Sequence, residues 1–345
     1  MKLLICTQIL DQHDSNLGFF HGWVEEFAKQ CELITVICLK EGEHTLPKNV
    51  RVLSLGKEYG ASRLTRAWRF LRYITVYKAD YDSVLVHMNA EYVVLGGLLW
   101  RRWGKKVSLW YAHKSVTMKL QLAVRWLDYV FTVADDSFKI KTPKIRAVGH
   151  GIDTEAFKPD MREGSIETRL VTSGRIAQSK HIVEMLRVLD ILHERGEKFI
   201  FTIVGAPTTA VEESYKHLLQ KEIDQRPYKA KIHMTGAVSH IALPKLLNNQ
   251  DLFLNFSTTG NMDKAALEAL AVGVPVLTTN GAFKELLSPF GLYVREKDYT
   301  VLADAVDTIM NRPDRAAVVA TLRNKVVEQH SLTKLIPKIV GFLNT

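Results

Sequence analysis

Apolar runs of five to eight residues alternate along this chain with stretches whose apolar positions recur every three or four residues, almost from end to end. The first pattern predicts strands buried on both faces, the second amphipathic helices. In the first half KLLICTQ, LITVICL, VRVLSL, SVLVHM, KVSLWYA and YVFTVA read as strands. Helices are expected from Phe19 to Gln30, Ser62 to Lys78, Glu91 to Arg102 and Met118 to Leu127. From Lys158 to Thr168, KPDMREGSIET mixes proline, glycine, serine and charge without a period, which predicts a linker. The alternation then restarts with RLVTSG, KFIFTIVG, KIHMTG, LFLNF and VPVLTT. Strands alternating with helices specify parallel sheets covered by helices. The expected fold is therefore α/β: two Rossmann-like doubly wound parallel-sheet domains, 1–160 and 161–330. A last helix, at about 331–345, has an apolar face that could cover either one. Two such domains on a short linker imply a cleft, a preferred place for a ligand.

At 345 residues the chain exceeds what one hydrophobic core usually supports, in agreement with two domains. Hydrophobic residues at 47% and charged residues at 24% exclude a disordered chain. No apolar run reaches the roughly eighteen residues of a membrane span. MKLLICTQIL lacks the apolar core and cleavage site of a secretory signal, so a cytoplasmic location is expected. Cys6, Cys31 and Cys38 are odd in number and show no CxxC spacing; they read as buried small residues, neither a disulfide framework nor a zinc site.

The formal charge of +9 is uneven: residues 1–160 hold 23 Lys and Arg against 17 Asp and Glu. Arg63, Arg66, Arg69 and Arg72 recur at every third position of a predicted helix that also carries Trp68, Phe70, Leu71 and Tyr73. Trp100 to Lys106 is a second cluster of tryptophan and basic residues. Such surfaces suit anionic lipid headgroups, so peripheral contact with an anionic membrane stays open. Solvated helix faces with their tryptophans turned into the core are the commoner origin and the preferred reading. No nucleic-acid-binding motif accompanies the charge, and no nucleic acid partner is expected.

Candidate chemistry gathers at predicted strand ends. In DLFLNFSTTGNMDKAALEALAVGVPVLTT, residues 251–279, Glu268 is the one acid in a helix of small and apolar side chains opened by Asp263. An ionised carboxylate there needs a partner. It follows a strand's carboxyl end, where open α/β sheets bind ligands and helix amides favour an anion. Ribose hydroxyls would suit Glu268 and a diphosphate the amides; a glutamate that only bonds neighbouring backbone is an equal alternative. Arg175 and Lys180 in SGRIAQSK put two cations on one strand-to-helix loop, an arrangement fit to cradle phosphate though common on plain surfaces. His113 ends VSLWYA, and His150 stands between Gly149 and Gly151, where glycines admit close backbone approach to a ligand. Either histidine could donate to a sugar hydroxyl or a phosphate. His21 and His87 are weaker candidates. No His and carboxylate cluster has metal spacing, so no metal is expected. GxGxxG, GxxxxGK[ST] and GxSxG are absent, which argues against a dinucleotide dehydrogenase, a P-loop and an α/β-hydrolase.

Five segments in order, VGHGIDTEAFKP, SGRIAQSK, FTIVGAP, HMTGAVSH and LEALAVGVPVLTT, resemble those of retaining glycosyltransferases of the GT-B fold, the large fourth family of sugar-nucleotide enzymes. The resemblance spans nearly the whole chain. It implies transfer of a sugar from a nucleoside diphosphate donor, UDP or GDP type, to a hydroxyl-bearing glycan or lipid acceptor. It implies retention at the anomeric carbon, with no metal and no cofactor beyond that co-substrate. Arg175 and Lys180 would hold the diphosphate, Glu268 the donor ribose, Val238 the base by its backbone, Gly18 the phosphates, and His113 would sit near the donor sugar. The last helix would cross back to the first domain.

The chain departs from the family where a glutamate usually stands eight positions before the ribose-binding one: here it is Gly260, and the EGFG turn is GNMD. Asp263 could restore a carboxylate, or Asn261 and the turn amides could suffice. The glycine usual after the loop lysine is His181. Two alternatives therefore accompany the transferase: an epimerase of the same architecture, and a nucleotide-sugar-binding protein without catalysis.

Overall fold

The computed structural model describes residues 1–134, 137–161, 164, 166–295 and 298–344, so positions 162, 163 and 165 of the predicted linker lie outside the described residues. The chain divides into two compact units, Met1–Asp153 with Gln329–Thr345, and Thr154–Glu328.

The first unit is built on seven strands, β1 (Lys2–Leu10), β2 (Leu33–Glu41), β3 (Val50–Ser54), β4 (Ser83–His87), β5 (Lys106–Trp110), β6 (Tyr129–Thr132) and β7 (Ile145–Ala147). They pair in parallel in the order β3-β2-β1-β4-β5-β6-β7, so the winding reverses between β1 and β4. Connections run through α1 (Phe19–Ala28), α2 (Arg63–Val76), α3 (Ala90–Arg102) and α4 (Met118–Trp126). Leu3, Leu4, Ile5 and Cys6 are all fully buried, because helices cover both faces of the sheet. Leu3 and Ile5 pack with Phe20, Trp23 and Phe27 of α1, while Leu4 and Cys6 point to the other face, with Phe70 and Ile74 of α2 and Trp100 of α3. The three thiols are free and buried, and burial pushes Cys31 up to about 11, so none is poised as a nucleophile.

One expectation fails on the basic stripe. Trp100 is buried, but Trp68 is 57% exposed. Phe70 and Ile74 take the inward face of α2, and Trp68 stays outside beneath Arg72, whose guanidinium carbon lies 5.3 Å from the ring centroid. Arg69 is held inward by its bond to the Leu55 carbonyl at 3.1 Å.

The second unit has five parallel strands, β8 (Thr168–Ser173), β9 (Phe199–Val204), β10 (Ile232–Gly236), β11 (Leu252–Asn255) and β12 (Val276–Thr278), in the order β10-β9-β8-β11-β12. Its helices are α5 (Ile182–Glu194), α6 (Ala210–Asp224), α7 (Leu243–Asn248), α8 (Lys264–Ala271), α9 (Lys284–Leu287) and α10 (Tyr299–Asn311); α11 (Arg315–His330) leads out of the unit. Here the winding reverses between β8 and β11. In such sheets ligands bind beyond the carboxyl ends of the two strands at the reversal.

After Ser331 the chain is back in the first unit as α12 (Leu332–Asn344), whose Leu335, Ile336, Ile339, Val340 and Leu343 are buried in the core that holds Phe20, Trp23, Val24 and Phe27. Two backbone bonds tie this return to the outgoing segment: Ile152 N to the His330 carbonyl and Leu332 N to the Ile152 carbonyl, each 2.7 Å. Among the described residues no helix is long and apolar enough to cross a membrane.

Candidate functional site

The loops that leave β8 and β11 meet at the reversal of the second sheet. Gly174 opens the β8 loop at φ +136°, and the loop closes in one 3-10 turn, Gln178–Lys180, before α5. It is joined to the β11 loop by three contacts. Thr258 N donates to the Ser179 carbonyl at 3.1 Å, the His181 ring lies 3.1 Å from the Thr258 hydroxyl, and Lys180 Nζ donates to Asp263 Oδ1 at 2.7 Å. A third loop joins them from β12, through Asn280 Nδ2 and the Asn261 carbonyl at 2.8 Å. Lys180 and Asp263, 83 positions apart in sequence, thus form a largely buried ion pair across the reversal.

The departures at His181 and Gly260 both fall at left-handed backbone positions. His181 keeps the left-handed conformation of a glycine, φ +53°, and its ring is held by Glu184 at 2.6 Å as well as by Thr258. Side-chain bonds offset the strain of that conformation. Gly260 is also left-handed, φ +70°, a shape in which a glutamate would be strained.

Arg175 and Glu268 each have a partner that local spacing does not reveal. Arg175 is half exposed and donates to Glu212 Oε1 at 2.8 Å. Glu212 lies in the first turn of α6, where the helix dipole favours an acid, and its other oxygen accepts from the Thr208 amide and hydroxyl at 2.7 and 2.6 Å. Burial would raise its pKa; the two Thr208 bonds and Arg175 outweigh that and hold the carboxyl below its ordinary value. Arg175 is thereby held by a restrained carboxylate. Glu268 is 4% exposed in the middle of α8, and His240 Nε2 lies 3.1 Å from its Oε1. His240 comes from the segment between β10 and α7, with its ring centroid 5.0 Å from that of Phe157. Val238 is two residues earlier on the same segment and half-buried.

The remaining candidates belong to the first unit. Gly18 is buried at the start of α1, its amide bonded to the Asp14 carbonyl at 3.0 Å. His113 is exposed beyond β5 and accepts from the Ser115 amide at 3.0 Å. The glycines beside His150 have φ +95° and +69°, but the close approach they allow is to the chain itself: a Cβ at 149 would meet the Gln329 carbonyl and one at 151 the Trp23 ring. His150 lies beside Trp110, ring centroids 6.0 Å apart. His87 is stacked on Phe20 at 4.2 Å and is a core residue; His21 is buried and accepts from the Thr45 amide.

The family described as glycosyl transferases group 1 matches residues 153–327, half of the chain and nearly all of the second unit. The chain belongs to this family. It is 26% identical over 206 residues to the lipopolysaccharide core biosynthesis mannosyltransferase LpsB of Rhizobium meliloti (strain 1021), covering 53% of this chain and 57% of that protein. It is 23% identical over 169 residues to the capsular polysaccharide biosynthesis glycosyltransferase CapM of Staphylococcus aureus, covering 47% and 42%. The chain spans about half the length of the curated relatives it matches. Among solved structures, Anabaena HepE in complex with UDP and glucose is similar in fold, with TM-score 0.78, 15% identity and full coverage of both chains. The UDP-GlcNAc 2-epimerase of Methanocaldococcus jannaschii, also 15% identical and covering 100% of this chain and 99% of its own, has a TM-score of 0.60. Both units thus have the sheets of the GT-B group 1 glycosyltransferases, as the resemblance implied.

Proposed function

We propose that the chain transfers a sugar from a nucleoside diphosphate donor to a hydroxyl acceptor, with retention and without a metal, in the assembly of an envelope polysaccharide or glycolipid. The observation that carries this reading is the place of Lys180, paired with Asp263 across the β8–β11 reversal, on one loop with Arg175, which Glu212 holds. Two cations on one loop at a sheet reversal suit a diphosphate, which would take the place of Asp263 on Lys180. In the proposed reaction the bond from the anomeric carbon to the β-phosphate oxygen breaks as the acceptor oxygen bonds on the same face. The acceptor proton passes to a phosphate oxygen, and Arg175 and Lys180 offset the charge gathering on the leaving diphosphate. Glu268, held by His240, accepts from the ribose hydroxyls. The names of the relatives, a lipopolysaccharide core biosynthesis mannosyltransferase and a capsular polysaccharide biosynthesis glycosyltransferase, support an envelope glycan, and the UDP in complex with HepE supports a uridine donor.

The test is to titrate the purified chain in EDTA with UDP, GDP and their sugars. One nucleotide sugar should raise Tm, and the anomeric configuration of the product, read by proton NMR, should match the donor. Arg175→Ala and Lys180→Ala should each abolish the rise, and donor affinity unchanged in both refutes the site. Binding with no turnover on any acceptor would favour the non-catalytic reading that Gly260 motivates.

A further inference from the structure

The histidine beside Glu268 is itself held, by residues that reach it from two other parts of the second unit. Within α8 the neighbours on either side, Ala265 to Leu267 and Ala269 to Ala271, are alanine and leucine, which cannot hydrogen-bond a carboxylate. His240 supplies the bond instead, Nε2 to Oε1 at 3.1 Å, with both side chains largely buried. An ionised carboxylate only accepts, so Nε2 is the donor. The His240 ring leans on that of Phe157, which is fully buried, with the centroids 5.0 Å apart and the planes at 52°. Phe157 is fastened in turn. One guanidinium nitrogen of Arg323, in α11, donates to the Phe157 carbonyl at 3.0 Å and also to the carbonyl of Ala271, the last residue of α8. The contacts thus form a closed circuit: Glu268 to His240, His240 to Phe157, Phe157 through Arg323 to Ala271, and along α8 back to Glu268. Such a circuit leaves the imidazole and the carboxylate little freedom relative to each other. A glutamate without it would surrender its rotamer freedom only when a ribose arrived, at a cost in affinity.

We propose that His240 is the positioning residue for ribose recognition, and that Phe157 and Arg323 keep its imidazole on Glu268. This rests on the ribose role proposed above for Glu268. The imidazole acts on the donor only through the carboxylate, so its loss is felt by a nucleotide that has ribose hydroxyls and not by one that lacks them.

The full chain is titrated calorimetrically with UDP and 2′,3′-dideoxy-UDP, and with the corresponding guanosine pair. Wild type should bind one ribonucleotide about tenfold or more tightly than its dideoxy analogue, as expected for hydroxyls bonded to a charged group. His240→Ala should lose most of that preference while its affinity for the dideoxy nucleotide stays within about twofold, and His240→Gln, which keeps an N–H donor, should retain it. A preference kept in His240→Ala, or both nucleotides weakened alike, would overturn the proposal and leave the role of Glu268 standing. Equal binding of the two nucleotides by wild type would overturn both. Phe157→Leu, which leaves His240 in place, should lower the preference severalfold, and it decides the question if His240→Ala does not fold: an unchanged preference there overturns the proposal.

Discussion

Asp263 stands where the family carries a glycine, and its carboxylate is spent on Lys180. A diphosphate arriving at Lys180 must compete with it. At about 4 Å two unit charges interact by roughly 1 kcal/mol even at the dielectric of water, so Asp263→Asn should tighten UDP or GDP binding about fivefold. Isothermal titration of both proteins reads this directly; weaker binding in the variant would mean that Asp263 positions Lys180 rather than competing for it. Gly260 separates conformation from chemistry. Restoring the family's carboxylate by Gly260→Glu places a Cβ on a backbone at φ +70°, at a cost of roughly 1–2 kcal/mol in unfolding free energy, and Gly260→Asn should cost less because asparagine tolerates that region. Equal losses in denaturant titrations would remove the backbone explanation for the substitution. Glu268→Gln should weaken nucleotide binding and leave the fold intact, since an amide can still meet His240 at 3.1 Å. An unfolded variant would return Glu268 to a purely structural role.

At the scale of elements, the strands and helices were legible because each carries its own period. KLLICTQ and LITVICL read as buried strands and lie within β1 and β2, each of which runs two residues further, while α8 announces itself by small residues that let it lie close to the sheet. β7, three residues long and half-exposed, gives no such signal. Strand ends located Arg175, Lys180 and Glu268, but their partners Glu212 and His240 lie 37 and 28 positions away and are joined to them only by the fold. The carboxylate expected to need a partner had one in HMTGAVSH, a segment read only for its backbone contacts to the base. The same long-range closeness makes a prediction for the β8 and β9 ends. A Cβ at Gly205, φ +136°, would lie 1.9 Å from the Gly174 carbonyl, whereas one at Gly196, φ +77°, would meet nothing within 4 Å. Gly205→Ala should therefore cost clearly more than the roughly 1 kcal/mol of backbone strain that Gly196→Ala incurs, and should weaken diphosphate binding as the loop shifts. Matching denaturation midpoints for the two variants would contradict this.

For the whole molecule, the apolar face of the last helix showed that it is buried but not by which sheet, since Leu335, Ile336 and Ile339 suit any apolar surface. The bonds that fix the choice are at His330, whose carbonyl receives Ile152 N just before α12 begins. That histidine is 7% exposed, its Nδ1 has no hydrogen-bond partner among the described residues, and burial, with His150 and Lys338 nearby, lowers its pKa to about 4. A folded pKa below the unfolded value near 6.5 means that the unfolded chain binds the proton more readily. Stability is then fully present above pH 6.5 and is lost as pH falls towards 4. A shift of that size is worth about 3 kcal/mol in all, of which about 2 kcal/mol should be gone by pH 5. Urea unfolding at pH 7 and pH 5 checks it against His330→Phe, which cannot titrate and should lose correspondingly less on acidification. If wild type and variant lose stability in parallel, the acid sensitivity lies elsewhere, and the return of the chain to its first unit does not depend on the charge of His330.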